Sequence, residues 1–128
     1  MDLLRGLSLS FVSGCVGAVG FFVGAYLFIA AGLIDAPAMV ETFRSAAFFY
    51  KQTVWGGVWG LLLTVPLLRP HWWVRGPIVG TLATVAAVFV FGADLSSPVM
   101  LAGALILNAG FWGLTAAFWH DRVVAARG

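Results

Sequence analysis

KQTVWGGVWGLLLTVPLLRPHWW, residues 51–73, is the stretch whose reading decides the fold. An uncharged, mostly apolar run from Thr53 to Leu68 lies between Lys51 at one end and Arg69, His71, Trp72 and Trp73 at the other. Basic and aromatic residues at the ends of such a run are the marks of a membrane span, because indoles and long cationic side chains settle at headgroup level. Inside the run, Gly56 and Gly60 let a second helix come close. Thr53 to Leu68 alone reaches only about 24 Å at the usual rise, so the span is expected to begin near Phe48, with Lys51 snorkelling to the headgroups.

The whole chain shares this character. Of its 128 residues, 62% are hydrophobic and 9% charged, against roughly 25% charged in soluble domains. A spanning helix takes roughly 20 residues, so four spans with short connections fill the chain and leave no room for a soluble catalytic domain. The net charge of +2 is carried by scattered arginines rather than a basic stripe, which argues against a nucleic-acid partner. A single cysteine, Cys15, excludes an intramolecular disulfide and any multi-cysteine metal site.

The first span is expected over about 7–34, a run without charge. Val12, Ser13, Gly14 and Cys15 resemble a bacterial lipobox, but the apolar run continues long past Cys15, so an uncleaved span is expected. Ser13, Gly17, Gly20, Gly24 and Ala31 form a stripe of small residues at helical spacing, and this face is expected to touch another helix. Asp35 and Pro37 suit a cap and first turn. Residues 36–50 then place Met39, Phe43, Ala46, Ala47 and Tyr50 on one side and Glu41, Arg44 and Ser45 on another, which is either an interfacial amphipathic helix or a bent extension of the second span.

The second span covers about 48–68, with Pro66 near its end, and Arg69–Arg75 is a tight basic and aromatic connection. A third span over 77–93 carries Gly80, Thr84, Ala83 and Ala87 as small pairs four apart. A turn at 92–97, capped by Ser96 or Ser97, leads through Pro98 into a fourth span to about Trp119, followed by a polar tail from Asp121. The expected fold is therefore all-α: four transmembrane helices in an antiparallel bundle forming a single domain, 1–128. In this arrangement Arg5, Arg69, Arg75, Arg122 and Arg127 share one side and only Arg44 and Lys51 the other, which puts both termini in the cytoplasm of a bacterial inner membrane.

Trp55 and Gly56 in the second span are echoed by Trp112 and Gly113 in the fourth, as in a duplicated hairpin. On the run from Trp55 to Leu63 and on Asn108, Ala109, Gly110, Phe111, Trp112 and Gly113, the chain resembles small four-span inner-membrane proteins of proteobacteria. That resemblance implies an architecture and brings no activity or functional residue with it. In length and span count the chain also resembles the small multidrug antiporters. It lacks their membrane-embedded glutamate, since Asp2, Asp35, Glu41, Asp94 and Asp121 all fall at span ends or in loops.

Helix packing is expected at Gly17, Gly20, Gly24, Gly56, Gly60, Ala109 and Gly113, and interfacial anchoring at Lys51, Arg69, Trp72, Trp73, Arg75 and Trp119. Asn108, about 15 Å into the fourth span, is the strongly polar residue at mid-depth, with Thr84 as its expected hydrogen-bond partner. His71 and His120 near one rim lack a carboxylate or thiolate set, so neither a metal nor a cofactor is expected. Trp55 with Trp59, and Trp112 with Trp119, suit lipid and helix packing more than ligand stacking. The sequence thus points to a noncatalytic accessory or assembly subunit that packs, within the lipid bilayer, against larger membrane proteins. A homo-oligomeric channel or carrier, with Asn108, Thr81, Thr84 and Thr115 along its path, is the alternative.

Overall fold

The structure is a computed structural model that describes residues 2–65, 71–92 and 97–125. The expected features at Pro66, Arg69, Asp94, Ser96 and Arg127 lie outside the described residues. α1 (Leu3–Ala30) begins at Asp2, whose carboxylate accepts from the Leu4 amide, and its 28 residues reach about 42 Å at 1.5 Å per residue. It ends in a turn at Gly32, where φ is +78°. A Cβ there would meet nothing, so conformation rather than space calls for glycine.

α2 (Pro37–Arg44) starts at Pro37 after Ala36, not after a capping Asp35, and none of its residues is buried. Ser45 is extended, and its hydroxyl accepts from the Phe48 amide to cap α3 (Ala46–Gly60). Segment 36–50 is therefore a short helix, a break at Ser45 and the start of the next helix. Phe43 and Phe48 meet edge to face at 5.4 Å, and Phe48 meets Phe22 of α1 at 5.8 Å, so an aromatic cluster ties this corner to α1. α3 tightens into a 3-10 turn, Leu61–Thr64, with Leu63 wholly buried.

α4 (Trp72–Phe91) begins five residues ahead of Pro77, which lies within the helix. Proline lacks the amide that would bond one turn back, a loss that apolar helices tolerate where neighbouring helices pack on them. Gly92, at φ +65°, closes the helix in the left-handed conformation. The final rod runs from Pro98 to Ala125 in three pieces: α5 (Pro98–Leu105), a π-helical segment (Ile106–Trp112) and α6 (Gly113–Ala125). It extends past Trp119 and takes in His120 and Asp121.

α1 and the C-terminal rod form the centre. α3 packs mainly on α1, and α4 mainly on the C-terminal rod. Cys15 faces Thr53 while Ser10 faces Thr64, so α1 and α3 run antiparallel. Ser10 with His120 and Gly14 with Trp112 give the same sense for α1 and the rod. Packing is closest at glycines: a Cβ at Gly60 would lie 2.6 Å from the Ser10 carbonyl oxygen, and one at Gly14 would strike the Gly56 carbonyl. Among the described residues three helices, Leu3–Ala30, Trp72–Val90 and Pro98–Ala125, are long and apolar enough to cross a membrane. The protein is an all-α bundle with several long apolar helices, consistent with a polytopic membrane protein.

Candidate functional site

Among the described residues, two polar clusters interrupt this apolar bundle. The first joins four segments at the end of the bundle that holds the start of α1. Ser10 of α1, Arg75 of α4 and His120 of α6 are 0%, 4% and 3% exposed. The Thr64 hydroxyl, on the 3-10 turn, donates to Ser10 Oγ at 2.7 Å. His120 Nε2 lies 3.2 Å from the same oxygen, and His120 Nδ1 lies 3.1 Å from a guanidinium nitrogen of Arg75. A second nitrogen of Arg75 donates to the Leu63 carbonyl at 3.3 Å.

This geometry fixes the tautomer. A guanidinium only donates, so Nδ1 must accept and Nε2 must carry the proton, which it gives to Ser10. An imidazole in that state has no lone pair facing the serine hydroxyl and cannot act as its general base. The pair thus differs from a serine nucleophile with its histidine, whose orienting carboxylate selects the opposite tautomer. What the cluster does is link α1, the 3-10 turn, α4 and α6 by hydrogen bonds made where water is scarce. A cavity of about 180 Å³ opens beside it, lined by Asp2, Gly6, Ser10, Thr64 and His120 among others.

The second cluster sits between α3, α4 and the π segment. Gln52 Nε2 donates to Asn108 Oδ1 at 3.5 Å, and Asn108 Nδ2 donates to the Ala104 carbonyl at 3.1 Å. The expected partner, Thr84, is buried but turns back to the Gly80 carbonyl of its own helix at 2.9 Å. That bond satisfies the Thr84 hydroxyl donor within its own turn.

Other side chains sort plainly. Arg75, expected as an interfacial anchor, is buried in the first cluster, since α4 begins at Trp72 and draws it inside. His71 is exposed and packs on Trp73 at 5.1 Å, so the two histidines do not meet. Trp72 is half-buried against Phe118, while Lys51, Trp73 and Trp119 are exposed. Trp112 is buried, and its indole fills a slot where Cβ atoms on Gly17 or Gly56 would approach it to 2.9 and 2.6 Å. Cβ atoms at Gly20 and Gly24 would strike Thr115 and the Phe111 ring, and one at Gly113 would strike the Gly76 carbonyl. Ala109 lies against Gly80, where an added Cβ would come within 2.7 Å of its Cα. Among the described residues no group of three or more His, Cys, Asp or Glu is placed to hold a metal ion.

Gln52, Ser10 and Thr64 are the members of these clusters that sequence reasoning misses. Ser10 carries a usable signal, because it lies one turn before Gly14 on the small-residue face of α1. No protein-family model, curated protein or solved structure matches the chain. Its class is therefore defined by architecture: a small bundle of apolar helices, consistent with a membrane protein.

Proposed function

We propose that this chain is a noncatalytic accessory or assembly subunit of a membrane complex, docking a partner helix along its C-terminal rod. The observation that carries the reading is the setting of Gly103 and Gly110. Gly14, Gly17, Gly20, Gly24, Gly56, Gly57, Gly60, Gly76, Gly80 and Gly113 all lie where a Cβ would strike a neighbour, whereas a Cβ at Gly103 or Gly110 would meet nothing. A glycine inside a helix costs about 1 kcal/mol relative to alanine. Among the described residues no packing offsets that cost at these two positions, and an incoming helix would. The tautomer at His120 supports the noncatalytic part of the reading.

The membrane arrangement belongs to the same proposal. The 15 residues of α3 and the four of its 3-10 turn together reach about 30 Å, the thickness of a hydrocarbon core. They serve as the second of four spans, with both termini in the cytoplasm of a bacterial inner membrane. A homo-oligomeric channel or carrier is the second reading, favoured by the polar groups of Gln52 and Asn108, which meet half-buried between α3 and the C-terminal rod. Purification in mild detergent followed by native mass spectrometry separates the two. Foreign subunits that are lost with Gly103→Leu or Gly110→Leu, while the melting temperature stays unchanged, support the subunit. A closed ring of identical chains supports the channel. A monomer in both wild type and variants refutes the docking surface.

A further inference from the structure

Because α3 leans on α1 and α4 on the C-terminal rod, a gap remains between α3 and α4. It forms a crevice of about 200 Å³ with chemically divided walls. α3 and the π segment contribute Lys51, Gln52, Trp55 and Asn108, whereas α4 contributes Ala83 and Ala87, whose small side chains leave an apolar groove one turn long. The lining residues include a cation and two amides but no carboxylate. The contact between Gln52 and Asn108, at 3.5 Å, is at the outer limit for a hydrogen bond, and each amide nitrogen carries a second N–H. An ammonium has three donors, so a contact within the chain leaves Lys51 able to take a ligand oxygen as well.

We propose that this crevice binds an anionic amphiphile. Its acidic head, a carboxylate or a phosphate, accepts from the Lys51 ammonium and from the Gln52 and Asn108 amides, and its hydrocarbon chain lies along Ala83 and Ala87. Charge selects the head, because a cation and N–H donors form charge-assisted hydrogen bonds with an anion and weaker ones with a neutral group. The groove selects a chain over a free inorganic anion. The bilayer supplies both parts in one molecule. This binding site stands independently of the subunit reading, since Gly103 and Gly110 are not part of the crevice.

Trp55 lines the crevice and reports on it. The full chain in detergent micelles is titrated with brominated phosphatidylglycerol, a brominated fatty acid and brominated phosphatidylcholine, and indole quenching is followed. At least one acidic probe is expected to give saturable quenching at a fivefold or greater lower mole fraction than phosphatidylcholine, and the two acidic arms distinguish phosphate from carboxylate. Trp55→Phe removes that saturable component. Lys51→Gln brings acidic and zwitterionic probes within twofold of each other. Ala87→Phe fills the groove without altering charge and weakens the acidic probe at least fivefold, and Ala87→Leu serves if the larger ring prevents folding. Equal quenching by all three probes in the wild type overturns the proposal. So does loss of preference in Lys51→Gln with full preference kept when Ala87 is enlarged, since that pattern marks surface attraction to an interfacial lysine.

Discussion

The indole N–H of Trp112 donates to the carbonyl oxygen of Gly14 at 3.0 Å, joining residues 98 positions apart. The bond forms because α1 offers no side chain at Gly14 or Gly17, and α3 offers none at Gly56, so one indole reaches the backbone where three rods meet. A carbonyl has two lone pairs, so this bond adds to the helix's own rather than displacing it.

Trp112→Phe keeps most of the packing and loses the donor, and we expect a loss of about 1 kcal/mol. Gly17→Leu is expected to be far more damaging, because even its Cβ would sit 2.8 Å from Ala116 Cβ. Reversible unfolding in mixed micelles measures both. Equal stability of Gly17→Leu and the wild type would mean that α1 does not seat on the C-terminal rod as described.

This much of the packing is legible in the sequence, because a small residue recurring every turn in an apolar run has few uses besides close helix contact. The partner of each glycine is not legible, since it depends on the register between rods. Arg75 illustrates a second limit. Pro77 has the look of a first-turn proline, which places Arg75 outside the helix, yet α4 starts at Trp72 and carries Arg75 into the bundle. Asn108 illustrates a third. Its depth, counted from Pro98 at the rise of an ideal helix, does not say which groups satisfy it, and Thr84 bonds to its own helix while Gln52 supplies the contact. The echo of Trp55 and Trp112 likewise conceals different settings, one lining a crevice and the other sealed in the core.

Arg75 and His120 give a prediction about unpaired donors. His120→Phe leaves a guanidinium N–H facing an apolar ring in a buried site, and truncating one member of such a pair costs about 3 kcal/mol. Replacing both, as Arg75→Met with His120→Phe, removes the donor along with its acceptor and is expected to recover part of that loss. Thermal unfolding of the two single variants and the double variant forms the cycle. Additive losses would show that the 3.1 Å contact carries no coupling.

The orientation proposed for the spans is tested at the chain ends. With Arg5, Arg75 and Arg122 on one side and Arg44 and Lys51 on the other, the basic-residue rule places both termini inside the cell. A reporter active only in the cytoplasm should work when fused to either end. A stable but silent C-terminal fusion would leave an odd number of crossings, in which case α3 does not span.

Asn108 separates a packing role from a lining role. It accepts from Gln52 and donates to Ala104, while Thr84 bonds to its own helix, so the coupling should follow those bonds and not a shared depth. A double-mutant cycle of Gln52→Leu with Asn108→Leu is expected to show about 0.6 kcal/mol of coupling, the usual worth of an interhelical hydrogen bond in a membrane. The corresponding cycle of Thr84→Val with Asn108→Leu should show none, because neither change removes a bond that the other residue makes. Unfolding in micelles reads both cycles. Coupling between Thr84 and Asn108 in place of Gln52 and Asn108 would mean that the Thr84 hydroxyl leaves the Gly80 carbonyl for Asn108.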